Sequence, residues 1–307
     1  MDGVLGVDHV GIGVRSMEGM KSFYRNVLGF THVLGEMPEA DHAAMHQLLR
    51  SATAVHSAAL LGHEAGGISV ALFHSTDPVP RPIRKDFRYG DIGVAKITMA
   101  VSDLDALYRD LGDRVGFCST PKTATIPGWG DYRFAYGRDP EGNLIEFFSG
   151  PDEHTENGFG GLRSIGIAVT DLERSMTFYQ ASLGFDIVVV ASHTAFSGLV
   201  DEVSGCTQTE VRSCVLATGK GRGMLEIFEV LKPRGRSIPF GTRWGDFGYL
   251  QACLYRHDIQ EMTTKGEARG IELLAAPQII DDPEHPGVFM YVRDPDGVPV
   301  ELVNFRK

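Results

Sequence analysis

The sequence predicts an α+β chain assembled from four βαβββ units, and three observations carry that expectation. The first is an internal repeat at a constant offset of 155 residues. Val10-Gly-Ile-Gly-Val14 returns as Ile165-Gly-Ile-Ala-Val169, and Phe23-Tyr24 with Leu28-Gly29-Phe30 returns as Phe178-Tyr179 with Leu183-Gly184-Phe185. Arg88-Tyr-Gly-Asp-Ile-Gly93 likewise returns as Arg243-Trp-Gly-Asp-Phe-Gly248. The second is a pair of turns, Asp139-Pro-Glu-Gly142 and Asp294-Pro-Asp-Gly297, each leading into an apolar run that carries one glutamate, Glu146 or Glu301. The third is the apolar period, which changes between two and 3.6 residues twice within each half.

Taken in order, residues 7–14 alternate as a strand. From Ser16 onward Met17, Met20, Phe23, Tyr24, Val27 and Leu28 recur at helical spacing, and Gly29 closes the helix. Residues 30–34, 57–61 and 68–73 read as the three extended pieces of the unit. A polar, helical insertion within 38–63 is long enough to lie over a cavity, and 193–210 is its counterpart in the second half. The second unit runs through a strand at 94–101, a helix at 104–111, and strands at 133–136 and 144–148. The second half repeats the series with strands at 164–169, 187–190, 211–217, 224–230, 249–255, 289–292 and 298–305, and with helices reaching 183 and 270. The boundaries that follow are a first module at 1–149, a Gly- and acid-rich linker at 150–158, and a second module at 159–307.

Composition limits what such a chain does. Its 307 residues are 43% hydrophobic and 22% charged, ordinary usage for a chain that buries a core. Twenty-nine basic residues against 40 acidic ones leave a formal charge of −11, spread along the chain. That balance disfavours nucleic acid as a partner and leaves a small-molecule substrate as the expected one. No apolar run approaches the roughly 18 residues that span a bilayer, and the first residues lack a secretory pattern, so no membrane partner and a cytoplasmic location are expected. Cys118, Cys206, Cys214 and Cys253 show no C-x-x-C spacing and read as buried free thiols. His42 and His46 stand four apart without the glutamate of an H-E-x-x-H site, which favours a solvated face. Gly11-Ile-Gly13 lacks the third glycine and the helix of a dinucleotide site.

Four βαβββ units, G-x-G/A first strands, F-Y-x-x-x-L-G-F helix ends and D-P-[DE]-G-x-x-[IV]-E strand entries together resemble the vicinal oxygen chelate superfamily. Glyoxalase I, methylmalonyl-CoA epimerase, extradiol dioxygenases and the fosfomycin and bleomycin resistance proteins are among its members. The resemblance covers nearly the whole chain. It implies paired units curling into open β-barrel cavities around one divalent metal (Mn, Zn, Fe, Ni or Mg), and by analogy a homodimer. Ligands in that superfamily sit at the centre of the first strand and in the last strand of each unit. Here those places hold His9, Lys96, Ser164 and Gln251, and Ala71, Glu146, Glu226 and Glu301.

A cation needs three or four neutral or anionic donors with positions left open for substrate oxygens, which a protonated lysine does not supply. If each half closes on itself, Lys96 pairs with Glu146 in one cavity, and Ser164, Glu226, Gln251 and Glu301 face each other in the other, where three oxygen donors beside a hydroxyl would hold Mg²⁺ or Mn²⁺ loosely. If unit one closes on unit four, His9, Gln251 and Glu301 converge on one metal. The function implied is a glyoxalase-like, metal-assisted enzyme acting on a small substrate with vicinal oxygens, of isomerase, epimerase or lyase type. The cation would stabilise an enolate while Glu301 or Glu226 moves the proton. Lys96, Glu146, Ser164, Arg243 and Trp244 are the expected substrate contacts. Two alternatives remain: a metal-free small-molecule binding or sequestering protein of the same fold, and an extradiol dioxygenase-like protein.

Overall fold

Strand pairing runs across the two halves of the repeat. In the computed structural model, which describes residues 3–84, 86–112, 114–150, 155, 158–219, 221–239, 243–268, 270–280 and 286–305, two mixed sheets form, and each takes one unit from each half. Of the linker expected at 150–158, only Gly150, Thr155 and Gly158 lie among the described residues. The first sheet joins unit one to unit four through an antiparallel seam between the strands Val4–Gly13 and Gly248–Arg256. Outward from the seam, Val4–Gly13 pairs in parallel with Ser69–Asp77, followed by Val55–Gly62 and His32–Asp41. On the other side Gly248–Arg256 pairs in parallel with Pro299–Phe305, followed by Gly287–Arg293 and Glu272–Ile280. The second sheet repeats this plan with unit two and unit three, whose seam joins Gly93–Val101 to Phe159–Ala168.

Two sheets of this kind place every first-strand and last-strand position of a pair of units near one seam. Helices Met17–Asn26, Leu104–Asp110, Leu172–Thr177 and Ile259–Ala268 cover the outer faces, and a single large apolar cluster lies between sheets and helices. Ser16, Asp103 and Asp171 cap the first three of these helices, each accepting from a backbone N–H three residues on. Gly184 stops the π-helical turn Phe178–Leu183 in a left-handed conformation at φ 96°, which a β-carbon would disfavour.

The expected strands are present, several of them longer than the sequence pattern shows. Gly116–Phe117, Lys122–Ile126 and Glu272–Ile280 were not expected; the last is an edge strand whose partial burial blurs the alternation. Within the insertion at 38–63, residues 38–41 and 55–62 are strand. Its helical part is one short turn, Ala43–Met45 running into His46–Leu49. His46 Nε2 meets Asp41 at 2.8 Å and His42 Nε2 meets the His56 carbonyl at 3.1 Å, so these two histidines serve separate local contacts.

The repeated D-P-x-G turns clamp the sheets together. Asp139 Oδ1 accepts from the N–H groups of Glu141 and Asn143, and Asp294 Oδ1 from those of Asp296 and Val298. Glu141 then accepts from the N–H groups of Arg15 and Ser16 at 2.6 and 3.1 Å, while Asp296 accepts from that of Thr170 at 3.0 Å. Each turn thus ties unit two to unit one, or unit four to unit three, at equivalent places in the repeat. Burial pushes Asp139 and Asp294 up to about 6 against the N–H groups that hold them down.

Candidate metal centre

The seam of the first sheet brings three of the expected ligands together. His9 stands opposite Cys253, and Cys253 opposite Glu301, so all three side chains rise from one face of the sheet. Gln251, two residues before Cys253, shares that face. His9 Nε2 lies 3.2 Å from Glu301 Oε2, and Gln251 Nε2 donates to the same oxygen at 3.1 Å. His9, Gln251 and Glu301 are buried.

Neighbouring groups fix their orientation. The pairing skips a residue between Val7 and His9, a bulge that turns the Asp8 carboxylate back to His9 Nδ1 at 2.9 Å. A carboxylate on Nδ1 leaves Nε2 as the coordinating nitrogen, the arrangement that raises the basicity of a metal-bound imidazole. Trp244 Nε1 donates to Gln251 Oε1 at 3.1 Å, and Gln251 Nε2 lies 3.3 Å from the Tyr291 hydroxyl. His9 Nε2 is buried, and its 3.2 Å approach to Glu301 does not have the geometry of a hydrogen bond. A buried, unsatisfied nitrogen beside a carboxylate and an amide fits a divalent cation.

Asp8, Cys253 and Tyr291 join the expected residues at this site, Cys253 having been expected only as a buried thiol. Cys253 was legible, since two residues from Gln251 along a strand is the same face. The Asp8 carboxylate was not, because it reaches His9 through a bulge. The donor atoms of Asp8, His9 and Cys253 lie within 4.8 Å of one another, which places a sulfur at the edge of the ligand set. Ala71, at the fourth ligand place, offers no donor.

Glycine gives the cluster its room. An added Cβ at Gly11 would stand 2.5 Å from Gln251 Nε2, and at Gly166, the equivalent residue, 2.5 Å from Lys96 Cγ. Gly11→Ala is therefore expected to displace the Gln251 amide and weaken metal binding about 10- to 100-fold, the range for disturbed ligand support. Equilibrium dialysis against a graded metal buffer checks this, and unchanged affinity would contradict it.

Burial pulls the His9 imidazole down, but its hydrogen bond to Asp8 and the negative charges of Asp8 and Glu301 outweigh that and raise it to about 10. The metal-free chain therefore holds an imidazolium between two carboxylates. Because the folded value lies above the unfolded 6.5, this contribution to stability is full below about pH 6.5 and is lost as pH rises through 10. Metal must displace that proton, so apparent affinity should climb by about tenfold per pH unit between 7 and 9. Titration calorimetry in buffers of differing ionisation enthalpy would show the released proton.

The second seam holds a different chemistry. Lys96, at the place equivalent to Gln251, meets Glu146 and, at 2.7 Å, Glu226; all three side chains are buried. Tyr132 donates to Glu146. Glu226, a candidate ligand from the sequence, is thus in a separate barrel from His9, Gln251 and Glu301, held by an ammonium. Burial would lower the lysine, yet the two carboxylates lift it; burial, opposed by Lys96, lifts Glu226. Ser164 is buried here, lining a space of about 30 Å³ beside Tyr132, Phe148 and Phe196, room for about one water. The substrate contacts expected at Lys96, Glu146 and Ser164 therefore lie in a filled seam. Trp244 adjoins the metal-type cluster, and Arg243 lies outside it on the wall of a larger cleft.

The family model described as the glyoxalase/bleomycin resistance protein/dioxygenase superfamily matches residues 6–147 and again 161–302. The chain belongs to that superfamily. Among solved structures it is similar to glyoxalase I from Zea mays, at 17% identity over 99% of this chain and 92% of that one, with a TM-score of 0.62. It is also similar to a candidate dioxygenase from Bacillus subtilis, at 11% identity over 100% of this chain and 87% of that one, with a TM-score of 0.61. At these identities the likeness is one of fold. A search of curated protein sequences gives no match. No helix among the described residues is long and apolar enough to cross a membrane.

Proposed function

We propose that the chain is a metal-assisted enzyme of glyoxalase-like type, acting on a small molecule with two adjacent oxygens through the seam of units one and four. The observation that carries this reading is the convergence of His9, Gln251 and Glu301 around the unsatisfied His9 Nε2. A divalent cation bound by these three residues supplies Lewis-acid polarisation of the substrate oxygens.

The chain's own residues provide the rest. Asp8 holds His9 in the tautomer that presents Nε2, and Trp244 and Tyr291 hold the Gln251 amide. Glu301 is the carboxylate that takes a proton from the substrate carbon and returns it, the step shared by isomerase, epimerase and lyase reactions. Met45 and Leu49 of the insertion pack with Trp244, Phe289 and Tyr291 over the same face, a covering that keeps water from the reacting carbon. The second seam supports a structural role, because Lys96 already fills the place between its carboxylates.

The test is solvent deuterium exchange, followed by NMR, on a panel of α-hydroxycarbonyl compounds with the metal-loaded chain. Exchange at the carbon next to the vicinal oxygens, abolished by chelator and restored by metal, is expected. Absence of exchange across the panel in chain that holds stoichiometric metal would contradict the reaction type.

A further inference from the structure

A cavity of about 770 Å³ lies outside the metal-type cluster, where the two sheets meet. Its walls come from equivalent places in the repeat: Ile83 and Ile238, Arg138 and Arg293, Gly142 and Gly297. The connecting segments that border it make matching hydrogen bonds, Ile92 N–H to the Arg236 carbonyl at 2.9 Å and Phe247 N–H to the Arg81 carbonyl at 2.8 Å. The cleft therefore sits on the pseudo-twofold axis of the chain.

Its charge opposes that of the whole protein. In a chain of formal charge −11, six arginines and two carboxylates, Asp86 and Glu141, line this one cavity. Both carboxylates are engaged: Asp86 meets Arg236 at 2.8 Å, and Glu141 meets Arg15 at 3.3 Å as well as the backbone of residues 15 and 16. Arg84 is held near Asp91 at 3.5 Å and by two carbonyls. Four guanidiniums remain less satisfied. Among the described residues, the guanidiniums of Arg50 and Arg243 have no carboxylate partner, although the Arg243 backbone N–H donates to Asp246, Arg138 donates to the Gly142 carbonyl at 2.7 Å, and Arg293 approaches Glu272 at 3.6 Å while its Nε lacks a hydrogen bond. Phe87, Trp244, Phe247 and Tyr249 supply flat apolar surface between them.

We propose that this cleft binds a flat organic anion carrying two or more negative groups. Its volume is that of a pocket for a molecule of cofactor or drug size. Guanidiniums take carboxylate, sulfonate or phosphate oxygens in paired hydrogen bonds, and the aromatic walls take the planar body. The site does not depend on the metal centre, so it is tested on chelator-treated chain.

The probe is 8-hydroxypyrene-1,3,6-trisulfonate, with uncharged 1-pyrenemethanol as its comparison. Binding is read by probe anisotropy and by quenching of Trp244 in a Trp129→Phe background, since the chain has two tryptophans. One saturable site per chain is expected for the trisulfonate, and markedly weaker binding for the neutral pyrene. Arg243→Ala and Arg293→Ala should each weaken the trisulfonate about tenfold or more. Arg25→Ala, on the exposed face of the helix Met17–Asn26, should leave it unchanged. Retained thermal midpoints in the variants show that the fold persists. Absence of saturable binding, equal binding of the neutral probe, or a double Arg243→Ala, Arg293→Ala variant within twofold of the parent would overturn the proposal.

Discussion

Lys96→Met is expected to destabilise the chain by about 3–5 kcal/mol, the cost of leaving buried charge without its partner. Lys96 is the cation within reach of both Glu146 and Glu226, and all three side chains are buried. Its removal forces two carboxylates to share one dry space, where at least one must take up a proton. The triple variant Lys96→Met, Glu146→Gln, Glu226→Gln removes the charges together and should recover most of the loss, since a neutral set needs no counter-ion. Urea unfolding of the parent, the single variant and the triple variant measures this. A Lys96→Met chain within about 1 kcal/mol of the parent would show that the ammonium does not hold this seam together.

Glu301→Gln should lower the rate of deuterium exchange by at least about 100-fold, the usual contribution of a positioned general base. The amide keeps an oxygen toward the cation and the shape of the side chain, but it cannot accept the substrate's proton. Glu301→Ala should instead lose the metal, because it removes the anionic donor of the set. Measuring metal content and exchange on both variants separates ligand from base. Full exchange activity in Glu301→Gln would move the proton-transfer role to another residue.

The fold was legible because the same motifs recur at one constant offset in both halves. Gly11 and Gly166, Phe23 and Phe178, and Asp139 and Asp294 perform the same tasks in both halves, so the pattern found twice is the pattern of the structure. Partner choice among the units was not legible, since the same strands serve either closure. It is set by long-range contacts such as the Val10 to Ala252 pairing and the Glu141 clamp on residues 15 and 16, which leave no periodic signal. The ligand positions His9, Gln251 and Glu301 could be read from strand spacing and family resemblance together. Their supports were harder to see: Asp8 arrives through a bulge, and Tyr291 through the cross-strand register that sets it opposite Glu301. The segments that cross between units carry arginines and aromatics suited to an anion, Arg84, Phe87, Arg243 and Trp244 among them, whereas Arg50, Arg138 and Arg293 lie far off in the sequence and join them only through the fold.

Elemental analysis of chain purified without chelator or metal-affinity resin, then reconstituted with Mn²⁺, Zn²⁺, Fe²⁺ or Ni²⁺, tests the metal centre most directly when His9→Ala and Glu226→Ala are run beside the parent. About one metal per chain in the parent and in Glu226→Ala, with metal lost from His9→Ala, is the expected result. No metal in the reconstituted parent, or a stoichiometry that survives His9→Ala and falls in Glu226→Ala, would contradict a centre in the seam of units one and four.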